Sequence, residues 1–138
     1  MNASEHFPRP IPDLEAEEFW AGCNRHELLM QCCRACGKLR WLPQAMCPTC
    51  NSLEREWFQL SGEGVVYSYT IITHPVHPGA VSLVPYNVAQ VQLAEDPDLI
   101  LVTNLVEIRN EEIRIGMPVH VTFEEHVPGV KLLKFRPA

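Results

Sequence analysis

Two Cys-x-x-Cys pairs, Cys33-Arg-Ala-Cys36 and Cys47-Pro-Thr-Cys50, constrain the fold of this chain more than any other sequence feature. Each two-residue spacer lets a tight turn present two sulfurs to one ion, and Zn²⁺ takes four thiolates in tetrahedral geometry. Gly37 and Asn51 follow the two pairs, and both residues tolerate the left-handed backbone that such a turn needs. The spacing therefore predicts one structural zinc site formed by Cys33, Cys36, Cys47 and Cys50.

Two of the six cysteines lie outside this set. Cys32 could replace Cys33, but the first spacer would then be longer than the second, so Cys33 is the expected ligand. Cys23 falls at the end of an expected helix, where a free cysteine is usually a small buried hydrophobe. Disulfides and iron are alternatives to zinc, because four thiolates also bind iron. The N-terminus resembles no secretory signal, which favours a reducing, cytoplasmic location and metal binding.

The composition limits the remaining classes of protein. The chain has 138 residues, of which 46% are hydrophobic, so it can hold one ordinary domain with a small appendage. No apolar run approaches the roughly 18 residues that a membrane span needs. The formal net charge of -6 disfavours nucleic acid and anionic membranes as partners. We expect a soluble cytoplasmic protein.

The N-terminal region predicts an extended arm followed by a short amphipathic helix. Met1 to Pro12 contains three prolines, and Asp13 is suited to an N-cap position. One side of this helix could pack on the chain's own ribbon, or its aromatic residues could dock onto another protein, as aromatic anchors often do. At helical spacing this side carries Ala16, Phe19, Trp20 and Cys23.

Period-two patterns begin after the Ser61-Gly62-Glu63-Gly64 turn and predict five short strands. With a non-strand insert near residues 107–114, this pattern matches a five-stranded OB barrel, and a small sandwich or SH3-like barrel is the alternative. The expected fold class is mainly β. Residues 1–25 are expected to form an arm and a short helix, residues 26–58 a rubredoxin-like zinc ribbon, and residues 59–138 an OB-fold barrel. The strands are expected at residues 65–73, 86–93, 99–106, 119–123 and 131–135.

An OB barrel beside a zinc ribbon can bind single-stranded nucleic acid, which needs aromatic side chains for stacking and cations for phosphates. Tyr67, Tyr69 and Tyr86 could stack, but no Lys or Arg occurs between Arg55 and Arg109. The first three barrel strands therefore carry no phosphate-neutralising charge. Nucleic-acid binding stays an alternative that the charge distribution disfavours.

An independent enzyme is also disfavoured. Four cysteine ligands leave zinc no open position for water or substrate, and no nucleophile elbow, phosphate loop or dinucleotide fingerprint occurs. His74 and His77 lie on the loop after the first barrel strand. They could bind a metal, act as acid and base, or reach into a partner's active site, but hydrogen bonding within a proline-rich loop is the commoner role.

An ordered set of motifs resembles one known family. The set comprises Phe19-Trp20, the two cysteine pairs, Ser-Gly-x-Gly before Val66-Tyr67-Ser68-Tyr69-Thr70, Pro85-Tyr86-Asn87-Val88-Ala89 and Ile115-Gly116-Met117-Pro118-Val119. It is similar to the acyl-CoA-associated zinc-ribbon plus OB-fold family, long described as a domain of unknown function. The likeness runs from about Phe19 to Pro137. Asn51 and Cys32 depart from its usual pattern, in which glycine and a basic residue are common at these positions.

The resemblance implies an accessory subunit rather than a catalyst. Members accompany thiolase-like enzymes, including lipid-transfer-type homologues that cleave steroid side chains, and others accompany MaoC-like enoyl-CoA hydratases. The resemblance thus implies a non-catalytic partner of a thiolase-like acyl-CoA enzyme, in a two-plus-two heterotetramer, with one structural Zn²⁺ per chain. We expect Phe19, Trp20, Trp41 and Leu42 in the docking surface. We expect His74, His77 and Tyr86 near the partner's active site or acyl-CoA entrance.

Overall fold

The computed structural model describes residues 8–138, in which helix α1 spans Glu17–Asn24. Most of the arm expected over Met1 to Pro12 lies outside this range, and residues 8–13 form neither helix nor strand. Asp13 caps the turn before α1, because its Oδ1 accepts a hydrogen bond from Ala16 N at 2.8 Å. The helix therefore begins one turn later than an N-cap at Asp13 predicts.

The ribbon is a three-stranded antiparallel sheet. Its strands are β1 (Leu29–Cys33), β2 (Leu39–Arg40) and β3 (Arg55–Gln59), in the order β2-β1-β3. The first cysteine pair begins at the end of β1, and the second lies in the connection between β2 and β3. All five residues of β1 are buried, so the central strand anchors the metal-binding turns.

Five further strands form a curled antiparallel sheet, as the alternating pattern predicted. They are β4 (Glu63–Ile72), β5 (Tyr86–Leu93), β6 (Ile100–Thr103), β7 (Pro118–Val127) and β8 (Val130–Pro137). Their order is β6-β5-β4-β7-β8. A short 3₁₀ helix, Asn110–Glu112, occupies the expected non-strand insert. This half-barrel confirms the mainly β fold class and is consistent with an OB fold.

Strand β6 ends at Thr103, earlier than the expected end at Val106. Beyond it, the chain leaves β5 and crosses to β8, where Leu105 forms a parallel bridge with Phe135. Val106 N donates to Phe135 O at 2.8 Å, and Phe135 N donates to Asn104 O at 3.2 Å. These bonds join the two edges of the sheet, so the last part of the expected strand serves barrel closure.

The helix, the ribbon and the barrel share one hydrophobic core. Phe19, Cys23 and Met30 belong to the same buried cluster as Val91 and Phe135. A polar contact adds to this packing, since Lys131 N donates to Asn24 Oδ1 at 3.0 Å and Asn24 Nδ2 donates to Gly129 O at 3.1 Å. The segment boundaries of 1–25, 26–58 and 59–138 stay a prediction. Within residues 8–138, no helix has the length and apolar character to cross a membrane.

Candidate functional site

The four sulfurs of the two cysteine pairs converge at one point. The Sγ atoms of Cys33, Cys36, Cys47 and Cys50 all lie within 4.8 Å of one another. Cys33 Sγ is 3.6 Å from Cys50 Sγ, and Cys36 Sγ is 3.7 Å from Cys47 Sγ. A tetrahedron with Zn–S bonds of about 2.3 Å has sulfur–sulfur edges of about 3.8 Å. The cysteines are therefore positioned to bind one zinc ion.

Backbone amides favour the thiolate form of two of these cysteines, Cys33 and Cys47. Cys36 N lies 3.5 Å from Cys33 Sγ, and hydrogen bonds from the Cys36 and Ala35 amides lower the pKa of Cys33. The Cys50 amide, followed by that of Thr49, lowers the pKa of Cys47 to about 6. Hydrogen bonds to a thiolate stabilise its negative charge, and the thiolate is the form that ligates a metal.

The residue after each cysteine pair adopts the left-handed backbone conformation that the sequence predicts. Gly37 has φ of 76° and Asn51 has φ of 63°. In each case the residue's own N–H closes the turn, donating to the carbonyl of Cys33 at 2.8 Å or of Cys47 at 2.9 Å. Cys32 points elsewhere, with its Sγ 3.5 Å from Gly37 O, and it lies outside the sulfur cluster.

The residues between and beside the two cysteine pairs in the sequence suit a four-thiolate zinc site, which carries two excess negative charges, although Arg34 is also paired with Glu56 at 3.8 Å. Residues 28–53 contain no Asp or Glu, whereas Arg34, Lys38 and Arg40 lie among them. Because all four positions are filled by protein ligands, a zinc ion bound here would hold the two turns together and would have no vacant position for a substrate.

The four residues expected to dock on a partner occupy different environments. Phe19 is only 3% exposed, and its ring centroid lies 4.7 Å from that of Trp41 and 5.1 Å from that of Trp20. Trp20 and Trp41 are half-buried, and Leu42 is 62% exposed. Phe19 thus packs on this chain's own core, and a role for it in docking stays a prediction.

The loop between β4 and β5 separates the other expected residues. His74 is exposed, and the Nδ1 of half-buried His77 accepts a hydrogen bond from Gly79 N at 2.9 Å. His77 thereby caps the 3₁₀ helix Pro78–Ala80, as expected of a histidine that bonds within a proline-rich loop. Tyr86 begins β5 and lines a groove that neither histidine lines.

This groove, which we call the β8 groove, has a volume of about 680 Å³ and lies between the β4–β5 loop and the end of the β7–β8 hairpin. Its volume falls within the range of small-molecule sites. Leu83 and Leu132 contribute apolar surface, while Asn104, Glu124 and Lys134 contribute polar groups. The groove is assembled by barrel closure, and no local sequence pattern marked Asn104, Glu124 or Lys134 as site residues.

One long segment of the barrel lacks acidic residues, lysine and arginine. Residues 64–94 contain no Asp, Glu, Lys or Arg. Within them, the loop residues Val76, Val81 and Leu83 are half or more exposed. Exposed apolar residues on a segment without Asp, Glu, Lys or Arg are typical of protein–protein interfaces and binding sites.

Comparison with known proteins gives two family matches. Residues 20–54 match the model described as "ChsH2, rubredoxin-like zinc ribbon domain". Residues 57–124 match "ChsH2, C-terminal OB-fold domain". The ribbon and the barrel derived from the sequence are therefore both found in the same family of proteins.

Individual relatives agree with these matches. A "Probable enoyl-CoA hydratase alpha subunit" of Thermomonospora curvata is 40% identical over 131 residues, covering 95% of this chain. The chain spans only 40% of the length of that relative. A "DUF35 domain-containing scaffold protein" of Pyrococcus furiosus is 36% identical over 107 residues, covering 73% of this chain and 76% of the relative.

A solved structure described as "Ltp2-ChsH2(DUF35) aldolase" contains a chain that is 39% identical to this one. The two superpose with a TM-score of 0.85, over 94% of this chain and 98% of the other. With a zinc ribbon, an OB fold and a relative matched over most of its length, the chain belongs to the DUF35 family.

Proposed function

We propose that this chain is a non-catalytic scaffold subunit that docks on a thiolase-like acyl-CoA enzyme. The observation that carries the proposal is the similarity, at 39% identity and over nearly the full length of both chains, to the DUF35 chain of an aldolase complex. The Pyrococcus furiosus relative is itself described as a scaffold protein. The partner's reaction would be an aldol or thiolytic cleavage of an acyl-CoA, with steroid or fatty acyl side chains as the substrate class.

The metal site supports a structural role for this chain. Cys33, Cys36, Cys47 and Cys50 would hold the zinc, and a zinc ion with four cysteine ligands is typical of structural sites. Bound zinc would cross-link the two cysteine turns of the ribbon, which has little hydrophobic core of its own. The cysteines would keep the ribbon in one shape, and that shape would be the one presented to the partner.

The surface proposed for docking is the exposed part of the ribbon together with α1. Leu42, Met46 and Leu53 are exposed apolar residues on the ribbon, and Trp20 and Trp41 lie half-buried beside the helix. Phe19 would act indirectly, because its ring packs against both tryptophans. The residues that we expect to contact the partner are thus Trp20, Trp41 and Leu42.

The loop with His74 and His77 would lie near the partner's active site or acyl-CoA entrance, and the β8 groove beside Tyr86 would face the incoming substrate. Supporting this placement, the loop lies in the segment 64–94, which contains no Asp, Glu, Lys or Arg, and it exposes Val76 and Val81. Such a surface is suited to contact with an apolar acyl chain or with an apolar rim of the partner. Acyl-CoA at the interface is part of this proposal.

Co-expression of the chain with a thiolase-like enzyme of its own organism tests the proposal. Native mass spectrometry should detect a complex of two copies of each subunit, because thiolase-like enzymes are usually dimers. Trp20→Ala and Leu42→Ala should each weaken the complex and retain one zinc per chain. Val102 is an exposed apolar residue on β6, outside the proposed surface, so Val102→Ala supplies a matched control. Equal complex formation by all of these variants would count against the proposed surface.

A second candidate partner is a MaoC-like enoyl-CoA hydratase. It is favoured by one observation, the 40% identity to a chain described as a probable enoyl-CoA hydratase alpha subunit. Because this chain spans 40% of that relative, the rest of the relative's length could carry the hydratase function. Co-expression with a hydratase-like protein separates the two candidates: a stable complex with that protein and none with the thiolase-like enzyme would favour the second.

A further inference from the structure

Lys134 differs from the other lysines of this chain in its surroundings. It lies on β8, is half-buried, and lines the β8 groove. Its Nζ donates a hydrogen bond to Asn104 Oδ1. Within residues 8–138, none of the ion pairs involves Lys134. A lysine that is partly removed from water and has a neutral amide as its partner is in a poor environment for a positive charge.

The other two lysines differ from Lys134 in ways that make them internal references. Lys38 is exposed on the ribbon. Lys131 has its Nζ 2.8 Å from His26 Nε2 and 3.4 Å from Asn24 O, so its amine is held at the contact between α1 and the β7–β8 hairpin. Only Lys134 lines the β8 groove, which is large enough to admit a small molecule.

We propose that Lys134 is an acylation site whose Nζ takes an acyl group from a thioester that enters the β8 groove. The neutral amine attacks the carbonyl carbon, a C–N bond forms and the C–S bond breaks. The thiolate leaves and, with the proton lost by nitrogen, becomes a free thiol, so the products are an amide and a thiol. No oxidant or further reactant is needed. The inference rests on the proposed function only in that an acyl-CoA enzyme would bring thioesters to this groove.

The partial burial of Lys134 and the apolar side of the groove support the chemistry. Burial lowers the pKa of Lys134, which raises the share of neutral, nucleophilic amine at a given pH. Glu124 opposes this effect by its negative charge and raises the pKa. Glu125 and His126 also line the groove, whose apolar side is formed by Leu83, Leu105, Val106 and Leu132.

The test uses the purified, zinc-loaded chain and acetyl-CoA as the probe, with peptide mass mapping of all three lysines over time. Lys134 should acquire the acetyl group several-fold faster than Lys38 or Lys131. Lys134→Arg should abolish the fast-reacting site and leave the slow labelling of the other two unchanged. Labelling of Lys134 no faster than that of exposed Lys38 would overturn the proposal.

Two further variants separate this chemistry from simple accessibility. Glu124→Gln removes the charge that raises the pKa of Lys134, so it should increase the acetylation rate. Asn104→Asp places a carboxylate beside Nζ, so it should decrease that rate while changing the size of the side chain little. A decrease in Glu124→Gln would contradict the proposal, and this surface variant is expected to fold even if Asn104→Asp does not.

The labelling experiment on Lys134 and the test of complex formation can succeed or fail separately. A chain that binds its thiolase-like partner but shows no preferential labelling of Lys134 would overturn this inference and leave the proposed function intact. A chain that is acetylated preferentially at Lys134 but forms no complex would support this inference and count against the proposed function.

Discussion

Replacement of Phe19 by alanine tests whether α1 belongs to the chain's own core. The ring is 3% exposed and contacts Trp20 and Trp41. Loss of its transfer free energy is worth about 1.5–3 kcal/mol, and each aromatic pair adds about 0.5–1.5 kcal/mol. The sum agrees with the loss of about 3–5 kcal/mol that is typical of buried Phe→Ala substitutions. We expect Phe19→Ala to lower the free energy of unfolding by about 4 kcal/mol.

Urea unfolding in excess zinc, followed by tryptophan fluorescence, measures this loss without a contribution from metal release. With an m-value of about 2 kcal/mol/M, the midpoint should fall by about 2 M urea. Leu42→Ala is the matched control, because an exposed ribbon residue should change stability by no more than about 0.5 kcal/mol. A loss below about 1 kcal/mol in Phe19→Ala would refute the assignment of the helix to the core.

Three further outcomes follow from the metal site and the barrel. Cys47→Ser should reduce zinc content from one ion per chain and disorder the ribbon, which metal analysis and proton NMR of the ribbon signals would detect; an unchanged zinc content would contradict the ligand assignment. Gly62→Ala should destabilise the chain more than Gly37→Ala, because both residues have positive φ but only at Gly62 would a new Cβ meet Val121; thermal unfolding of the two variants compares them, and equal losses would argue against the clash. Burial raises the pKa of Cys23 to about 12, so iodoacetamide at about pH 8 should leave Cys23 unlabelled in the native chain and label it after unfolding; rapid native labelling would contradict its burial.

The parts of the fold that could be predicted from the sequence depend on local geometry. The two cysteine pairs and the left-handed residues Gly37 and Asn51 are fixed by short-range turn chemistry, and the structure brings the four sulfurs together. The five barrel strands follow from side-chain alternation, which reports directly on which face is buried. Strand β5 has the predicted bounds of Tyr86 and Leu93.

The parts that could not be predicted depend on contacts between residues far apart in sequence. The amphipathic face of α1 indicates burial, but the pattern does not say whether Phe19 packs on its own chain or on a partner. The early end of β6 arises from the bridge between Leu105 and Phe135, which a local pattern does not contain. For the same reason the β8 groove, where Lys134 meets Asn104, has no signature in the sequence.

The central claim is that this chain supports an acyl-CoA enzyme and does not itself catalyse the cleavage of acyl-CoA. The most direct measurement compares acyl-CoA cleavage by the thiolase-like partner alone, by this chain alone and by the two together. The account predicts that this chain alone releases no more than the one equivalent of free thiol that acylation of Lys134 would produce, and that the complex works faster than the partner alone. Repeated turnover of acyl-CoA by the isolated chain, or a partner that works equally well without it, would contradict the account.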